Sequence, residues 1–403
     1  MFHVKHRLLL PTLVLAMVAL LATACGGAAG PRGWAAPVKT DDVILVSTSR
    51  GRLDALDAKT GALKWRFPND WSLKDIKDKK AEKPEAIYAP PIVTKEYVVY
   101  VAGYNGYVYA LRQSAPGVKD SILWVRETGG PIIGGMALDT TTATLFVTSD
   151  DGRLYALSAS DGSDRFPPVR VGDRIWSPPL VYAGNVYTAS TDGRLVAFDA
   201  RSGQGAEAWS PFVAAGGIVA GPVLSGRTIL VGGFDARLYA IDADTGAEKW
   251  RFEATNWIWS RPEASSGTVY VGDFNGNVYA LDLSDGKPLW DRPFSAGDGA
   301  GAAIRSGPVL IGSVLVIATQ DGALYGIDAG TGAKKWGPAS VGAAVLSDLI
   351  VLSDLIVEDS TVLVAPSGCA QQLQPDESKR QVLFYRVDVA TGKLEPVLSD
   401  KGC

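Results

Sequence analysis

Histidine, a residue that often serves in catalysis and in metal binding, occurs only near the N-terminus of this chain. The chain has two histidines, His3 and His6, and both fall in an N-terminal segment that we expect to be removed. The mature chain would then hold no histidine, which excludes a Ser-His-Asp triad, a Cys-His pair and a His-ligated metal site. The sequence also has no Cys-x-x-Cys pair, phosphate-binding glycine loop or Gly-x-Ser-x-Gly elbow. These absences favour binding over catalysis.

One acidic stretch is similar to the start of a calcium loop. It is DADTG at residues 242–246, but the downstream bidentate Glu of such a loop is missing. The stretch also lies on a turn that the chain repeats, so we interpret it as a turn and predict no metal site. The Asp-Gly pairs that begin at Asp151, Asp192 and Asp321 are interpreted in the same way, as hairpin turns.

Residues 1–24 are typical of a secretion signal, with a basic start at Lys5 and Arg7 and an apolar run over residues 8–21. The small residues before Cys25 resemble a bacterial lipobox, in which Cys25 becomes the lipidated first residue. A plain signal peptide followed by a chance cysteine is the alternative. Residues 25–33 would form a Gly/Pro/Ala tether. We therefore expect an exported protein that is lipid-anchored to the cell membrane or outer membrane and faces the extracytoplasmic space.

The charge balance of the mature protein is mildly acidic. Loss of Lys5 and Arg7 with the signal takes the formal net charge from −4 to −6. Lysine and arginine residues form no basic stripe in the sequence, which argues against a nucleic-acid partner.

The segments that must position any binding residues come from one repeated unit. The stretch ALDAKTGALKW begins at Ala55 and predicts a strand, a tight Asp-x-x-Thr-Gly turn and a second strand. Close copies begin at Ala240, Ala280 and Gly326. Looser copies start at residues 110, 156, 197 and 386, which makes eight copies in all.

The spacing of the copies predicts the architecture. Successive copies are 55, 46, 41, 43, 40, 46 and 60 residues apart, and a period near 40 with β patterning indicates four-stranded propeller blades. We therefore predict an all-β fold: a single eight-bladed β-propeller of antiparallel blades over residues 34–403. Each blade has strands A, B, C and D, and strand A lines the central channel.

A second repeated position lies 21 to 23 residues before the start of each of the first seven copies, on the predicted strand A, and it is followed by a proline in every one of these blades except blade 3. The residues found there are Trp34, Tyr88, Ile133, Trp176, Val219, Trp259 and Arg305. The loops between strands B and C should reach the same face, and they carry Tyr104, Phe234 and Phe274. Exposed aromatic residues near an arginine are typical of a binding face. The candidate face comprises Trp34, Tyr88, Tyr104, Trp176, Phe234, Trp259, Phe274 and Arg305; the alternative is that these side chains fill the narrow inner end of the blades.

The motif Ala-x-Asp-x-x-x-Gly-x-x-x-Trp resembles the tryptophan-docking repeat of pyrroloquinoline quinone (PQQ) propellers. The resemblance covers nearly all of residues 34–396. It implies that the motif tryptophans pack between neighbouring blades and are structural; they are Trp65, Trp124, Trp209, Trp250, Trp290 and Trp336.

The leader, the tether and the compact propeller together resemble the BamB-type lipoproteins of the outer-membrane β-barrel assembly machinery. The resemblance implies a non-catalytic, lipid-anchored envelope scaffold, monomeric within a complex, that binds protein partners through one propeller face. The alternative is a PQQ or other small-molecule binding protein, including a quinoprotein dehydrogenase. Such dehydrogenases carry an adjacent Cys-Cys pair, which is missing here, so we expect no cofactor and no enzyme.

Blade 8 is irregular. The hexapeptide VLSDLI occurs twice in tandem over residues 345–356, and the sequence does not decide which copy forms strand A. The two remaining cysteines lie in the B–C loop of this blade and just past its D strand, on the same face. We therefore predict a Cys369–Cys403 disulfide in the exported protein; two free thiols are the alternative.

Overall fold

The predicted ring of eight four-stranded antiparallel blades is confirmed by the computed structural model. The structure describes residues 35–40, 42–48, 51–58, 60–68, 84–112, 121–297, 299–343, 345, 350–352, 361–364 and 382–398. Within each sheet the strands follow sequence order from A to D. The predicted signal segment and tether, Trp34 and all three cysteines, Cys25, Cys369 and Cys403, lie outside the described residues.

The strands of blades 1 to 4 are β1 Val38–Lys39, β2 Val43–Ser47, β3 Leu53–Asp57, β4 Leu63–Phe67; β5 Ile92–Val93, β6 Val98–Ala102, β7 Tyr107–Arg112, β8 Ser121–Glu127; β9 Gly135–Asp139, β10 Thr144–Thr148, β11 Arg153–Ser158, β12 Asp164–Arg170; and β13 Leu180–Tyr182, β14 Asn185–Ala189, β15 Arg194–Asp199, β16 Phe212–Val213. Those of blades 5 to 8 are β17 Val223–Ser225, β18 Thr228–Gly232, β19 Arg237–Asp242, β20 Glu248–Glu253; β21 Glu263–Ser265, β22 Thr268–Gly272, β23 Asn277–Asp282, β24 Phe294–Ser295; β25 Val309–Ile311, β26 Val314–Ala318, β27 Ala323–Asp328, β28 Lys334–Ser340; and β29 Ile350–Leu352, β30 Thr361–Val364, β31 Val382–Asp388, β32 Leu394–Leu398. A 3₁₀ turn lies at Ala300–Ala302.

The first strand of each blade lies nearest the central axis. Strand β9 contacts both β5 and β13, and β21 contacts both β17 and β25, although each of these strands belongs to a different sheet. Neighbouring sheets can touch through their first strands only if those strands face a common channel.

The hydrophobic core is divided into layers between neighbouring blades. Leu45 and Leu53 of blade 1, for example, pack with Val99 and Tyr109 of blade 2. The middle strands are buried on both faces, which explains their near-continuous apolar sequences. The last layer closes the ring, because residues 44, 46 and 56 of blade 1 pack with residues 363 and 384 of blade 8.

The turn of the repeat is held by its aspartate. In blade 7, Asp328 Oδ1 accepts hydrogen bonds from the amide and the hydroxyl of Thr331, each at 3.0 Å. Lys335 approaches the other carboxylate oxygen at 3.1 Å, and Gly332 supplies the positive φ of 73° that ends the turn.

Five of the motif tryptophans contact the turn of the next blade. The indole of Trp250 donates a hydrogen bond to the carbonyl of Leu283 at 2.8 Å, and a Cβ on Gly286 would lie 2.5 Å from the Trp250 ring. Glycine is therefore required at this turn for packing as well as for its φ of 73°. The same indole hydrogen bond is made by Trp124, Trp290 and Trp336 to the carbonyls of Ala159, Ala329 and Val389. The remaining two, Trp65 and Trp209, are also buried.

In blade 8, strand β29 spans the junction of the two VLSDLI copies, so the innermost strand is formed by neither copy alone. Ile350 ends the first copy and pairs with Leu363, and Leu352 in the second copy pairs with Thr361.

Candidate binding face at the channel mouth

The segment that leads into blade 6 is attached to two B–C loops by backbone hydrogen bonds. The amide of Phe274, in the B–C loop of blade 6, donates to the carbonyl of Trp257 at 2.9 Å. The amide of Ile258 donates in turn to the carbonyl of Gly233, in the B–C loop of blade 5, at 3.1 Å. The first bond recurs in five other blades, from Tyr104 to Ala86, Asp150 to Pro131, Thr191 to Arg174, Phe234 to Gly217 and Gln320 to Ala303. The segment and the loop tips therefore lie side by side around the mouth of the channel.

A buried isoleucine fixes the orientation of each segment. It stands directly before the repeated position of the candidate face and is fully buried in each of six blades, as Ile87, Ile132, Ile175, Ile218, Ile258 and Ile304. Because neighbouring side chains of an extended segment point in opposite directions, the residues on either side of the isoleucine point away from the layer in which the isoleucine is buried.

The repeated position itself does not lie on strand A, so that part of the sequence prediction is wrong. Trp259 precedes the first residue of β21, Glu263, by four residues, and Ile133 precedes the first residue of β9, Gly135, by two. The reason is the proline: Pro262 has no amide hydrogen for the strand ladder and delays the start of β21. Blade 3 has no proline between Ile133 and Gly135, and its strand starts earlier.

Trp259 is the centre of an aromatic cluster. Its ring centroid lies 5.5 Å from that of Phe234, 6.2 Å from Phe274 and 6.4 Å from Trp176. Trp257 connects the same rings, at 5.1 Å from Phe234 and 5.8 Å from Phe274. We call these five residues the mouth cluster. Each is partly exposed, so the rings form an accessible apolar surface.

The contact between Trp176 and Trp259 places the cluster over the channel. Trp176 precedes blade 4 and Trp259 precedes blade 6, so their rings meet in front of blade 5. Blade 5 has the smaller, buried Val219 at the same position, which leaves room for the two indoles to approach.

Arg305 lies against the cluster as a buried cation. Its guanidinium carbon is 4.3 Å from the Trp259 ring centroid and 5.5 Å from that of Phe274, and the residue is only 6% exposed. Nη1 donates to Gln320 Oε1 at 3.4 Å. Burial lowers the pKa of Arg305 to about 10. Among the described residues no carboxylate lies within ion-pair distance of this guanidinium.

An acidic group lies at the opposite side of the cluster. The indole of Trp176 donates to Asp150 Oδ1 at 2.7 Å, and Arg174 approaches the same carboxylate at 3.9 Å. Burial raises the pKa of Asp150, although the bond from Trp176 and the charge of Arg174 oppose the shift. The mouth therefore has the buried cation Arg305 on one side and the pair of Asp150 and Arg174 on the other.

The structure brings together five of the eight residues proposed for the binding face: Trp176, Phe234, Trp259, Phe274 and Arg305. The rings of Tyr88 and Tyr104 meet edge to face with their centroids 5.2 Å apart, and among the described residues no ring contact joins this pair to the mouth cluster. Trp34 lies outside the described residues. Trp257 was not among the predicted residues, although its position two residues before Trp259, on the other side of a buried isoleucine, indicates the same orientation.

Two further features bear on the chemistry. Within the described ranges, no group of three or more His, Cys, Asp or Glu side chains is placed to hold a metal ion. In the same part of the protein, no helix has the length and apolar character needed to cross a membrane.

Comparison with known proteins gives a consistent family. The family described as Outer membrane protein assembly factor BamB matches residues 22–166, 119–214 and 203–365. The Outer membrane protein assembly factor BamB of Legionella pneumophila (strain Paris) is 27% identical over 197 residues, which cover 48% of this chain and 47% of that protein. The chain spans about half the length of the curated BamB relatives that it matches first.

A second kind of relative matches a shorter stretch. The Quinohemoprotein alcohol dehydrogenase ADH-IIG of Pseudomonas putida is 36% identical over 132 residues, which cover 27% of this chain and 18% of that enzyme.

The crystal structure of BamB from Moraxella catarrhalis superimposes with a TM-score of 0.58 at 19% identity, over 77% of this chain and 85% of that one, a likeness that shows the fold alone. The family match extends across residues 22–365, and on that ground the chain belongs to the BamB family of PQQ-repeat propellers.

Proposed function

We propose that this protein is a non-catalytic scaffold of the bacterial envelope that binds segments of partner proteins through the mouth cluster. The observation that carries the proposal is the group of partly exposed rings around Trp259. Aromatic residues in contact with arginine are enriched at the energetic centres of protein interfaces. The names of the matched relatives support outer-membrane protein assembly as the process in which the scaffold takes part.

The proposal includes a membrane anchor. Lipidation of Cys25 would tether the propeller by residues 26–33, so that the mouth cluster could reach partners at the membrane surface. Substitution Cys25→Ala should release the protein into the soluble extracytoplasmic fraction, and retention of the variant in the membrane would contradict the anchor.

The alternative is a quinoprotein, which the partial match to an alcohol dehydrogenase favours. PQQ carries three carboxylates, and the mouth cluster offers one buried cation, Arg305, with Asp150 on the other side. This donor set does not fit a tricarboxylate. Incubation with PQQ and calcium, followed by absorbance and dye-reduction measurements, should show neither a bound quinone nor turnover.

Site-specific photocrosslinking tests the scaffold function. A photoreactive phenylalanine analogue at Phe234 lies in the mouth cluster, and the same analogue at Val213, which is 63% exposed on the outer strand of blade 4, is the matched control. In native membranes, position 234 should crosslink to a component of β-barrel assembly identified by mass spectrometry, and Trp259→Ala should abolish that product. Crosslinks of equal yield from both positions, or none from position 234, would refute the binding face.

A further inference from the structure

The state of Arg305 requires a partner that the described residues do not supply. The side chain is 94% buried (6% exposed), and a buried charge is ordinarily paired with an opposite charge because desolvation is costly. Its described contacts are two aromatic rings and one neutral oxygen, Gln320 Oε1 at the long distance of 3.4 Å. Rings stabilise the face of a guanidinium, but its N–H groups lie in the plane of the group and need acceptors.

The surroundings define what that acceptor would be attached to. The rings of Trp259 and Phe274 lie against the guanidinium of Arg305, and both rings also contact other members of the mouth cluster. A ligand that reached Arg305 would therefore place its neighbouring atoms on an apolar, aromatic surface. Asp150, at the far side of Trp176, already accepts the hydrogen bond of that indole and lies at ion-pair distance from Arg174, so it does not serve as the acceptor for Arg305.

We propose that Arg305 selects the partner segment: the mouth binds a peptide in which a carboxylate stands beside an aromatic or large apolar side chain. The inference rests on the proposed function and names the ligand class of the same face. The carboxylate would accept the two parallel hydrogen bonds for which a guanidinium is suited, and the apolar side chain would pack on Trp257 and Phe234. An aspartate or glutamate side chain and the free α-carboxylate at the end of a polypeptide offer the same chemistry.

The test uses the complete mature protein and three short peptides. Acetyl-Phe-Asp-Phe-amide carries an internal carboxylate, acetyl-Phe-Asn-Phe-amide is its neutral match, and acetyl-Phe-Asn-Phe with a free C-terminus carries a terminal carboxylate. Binding is measured by calorimetry and by the fluorescence of the cluster tryptophans. We expect one or both carboxylate peptides to bind at least about 10-fold more tightly than the neutral one, as a hydrogen-bonded charge pair would give.

Two variants locate the preference. Arg305→Met should bind all three peptides equally, whereas Arg174→Met removes an exposed cation of the same face and should keep the preference. Arg305→Met should also melt at the same temperature as the parent or above it, because it removes a buried unpaired charge. If it fails to fold, Arg305→Lys, which keeps the charge and loses the fork, should reduce the preference.

The peptide-binding experiment and the crosslinking experiment can fail independently, so failure of this inference can be told apart from failure of the proposed function. No preference in the parent protein, or a preference that persists in Arg305→Met, would overturn the inference while the crosslinks from position 234 could still stand. A parent protein that binds inorganic phosphate or anionic vesicles through Arg305, and none of the peptides, would overturn it as well. Loss of the crosslinks with the peptide preference intact would instead refute the scaffold function.

Discussion

Arg386 Nη2 donates a hydrogen bond to the carbonyl of Ala58 at 3.2 Å, which joins the last blade to the first. Ala58 directly follows the aspartate of its repeat turn, as Ala329 and Val389 follow theirs. Those two carbonyls receive the indole hydrogen bonds of Trp290 and Trp336. Arg386 thus makes, across the closure of the ring, the bond that a tryptophan makes elsewhere.

Arginine can replace alanine or glycine at this position of blade 8 for a steric reason. In blade 7 the residue opposite the docking tryptophan is Gly326, where a Cβ would lie 2.2 Å from the Trp336 ring. In blade 8 no tryptophan stands on β32, and Arg386 pairs with Glu395. The absence of the indole leaves room for a long side chain at a position that otherwise holds alanine or glycine.

We expect Arg386→Ala to destabilise the protein by about 1–2 kcal/mol, although it restores the residue found in most copies of the motif. The change removes a charged donor and leaves the partly buried carbonyl of Ala58 without it. Chemical denaturation measures the effect, with Arg251→Ala, at an exposed ion pair on β20, as the control. Equal stability of the two variants would contradict a closing role for Arg386.

Trp250→Ala should destabilise the protein by ~3–5 kcal/mol, because it removes a large buried aromatic from the layer between blades 5 and 6. Trp250→Phe should cost less, since blade 3 already uses Phe166 against Gly203 in the same arrangement. Thermal melts of the two variants test the order. An unchanged melt for Trp250→Ala would show that the tryptophan is not structural.

Acid should weaken the turns of the repeat. The hydrogen bond from Lys335 and those from Thr331 hold the pKa of Asp328 below its usual value. A depressed pKa in the folded state means that the stabilisation is complete above the unfolded pKa and is lost as the pH falls through the folded one. The difference in melting temperature between the parent and Asp328→Asn should therefore be largest near neutral pH and shrink below about pH 4. A difference that does not change with pH would contradict the ionic contribution.

The Cys369–Cys403 disulfide stays a prediction, since both residues lie outside the described part of the protein. The bond would constrain the irregular last blade and contribute ~2–4 kcal/mol. Intact-mass analysis of the mature protein with and without reductant should show a shift of two hydrogens. Alkylation of both thiols under denaturing, non-reducing conditions would show that no bridge forms.

The number of blades could be predicted because the turn motif recurs along the chain at intervals typical of propeller blades. Five copies of the motif carry a turn aspartate, a turn glycine and a tryptophan, and the other three keep the spacing with some of these residues changed, so local chemistry and spacing together indicated eight blades. The position of strand β29 could not be predicted, because both tandem copies of VLSDLI satisfy the apolar pattern and the register depends on pairing with β30.

The candidate site was only partly predictable, for a different reason. Side chains of Trp176, Phe234 and Trp259 were placed on one face by repeat position, but their contacts depend on the small Val219 in the blade between them. The bond from Arg386 to Ala58 joins residues 328 positions apart. No local pattern indicates such a contact until the ring is known to close.

The hydrogen bonds that attach the entry segments to the B–C loops join backbone atoms, and a buried isoleucine orients each of six segments. The side chain of the residue that follows the isoleucine takes no part in these backbone bonds, although Trp176 and Arg305 add side-chain bonds to Asp150 and Gln320. In this protein that residue is tyrosine, isoleucine, tryptophan, valine, tryptophan and arginine in turn. The mouth is therefore lined by positions whose side chains vary from blade to blade, while the backbone hydrogen bonds that hold the entry segments recur. Substitution of the residue after the isoleucine, in one blade at a time, could change the ligand that the mouth binds while the buried isoleucines and the repeat motif stay the same.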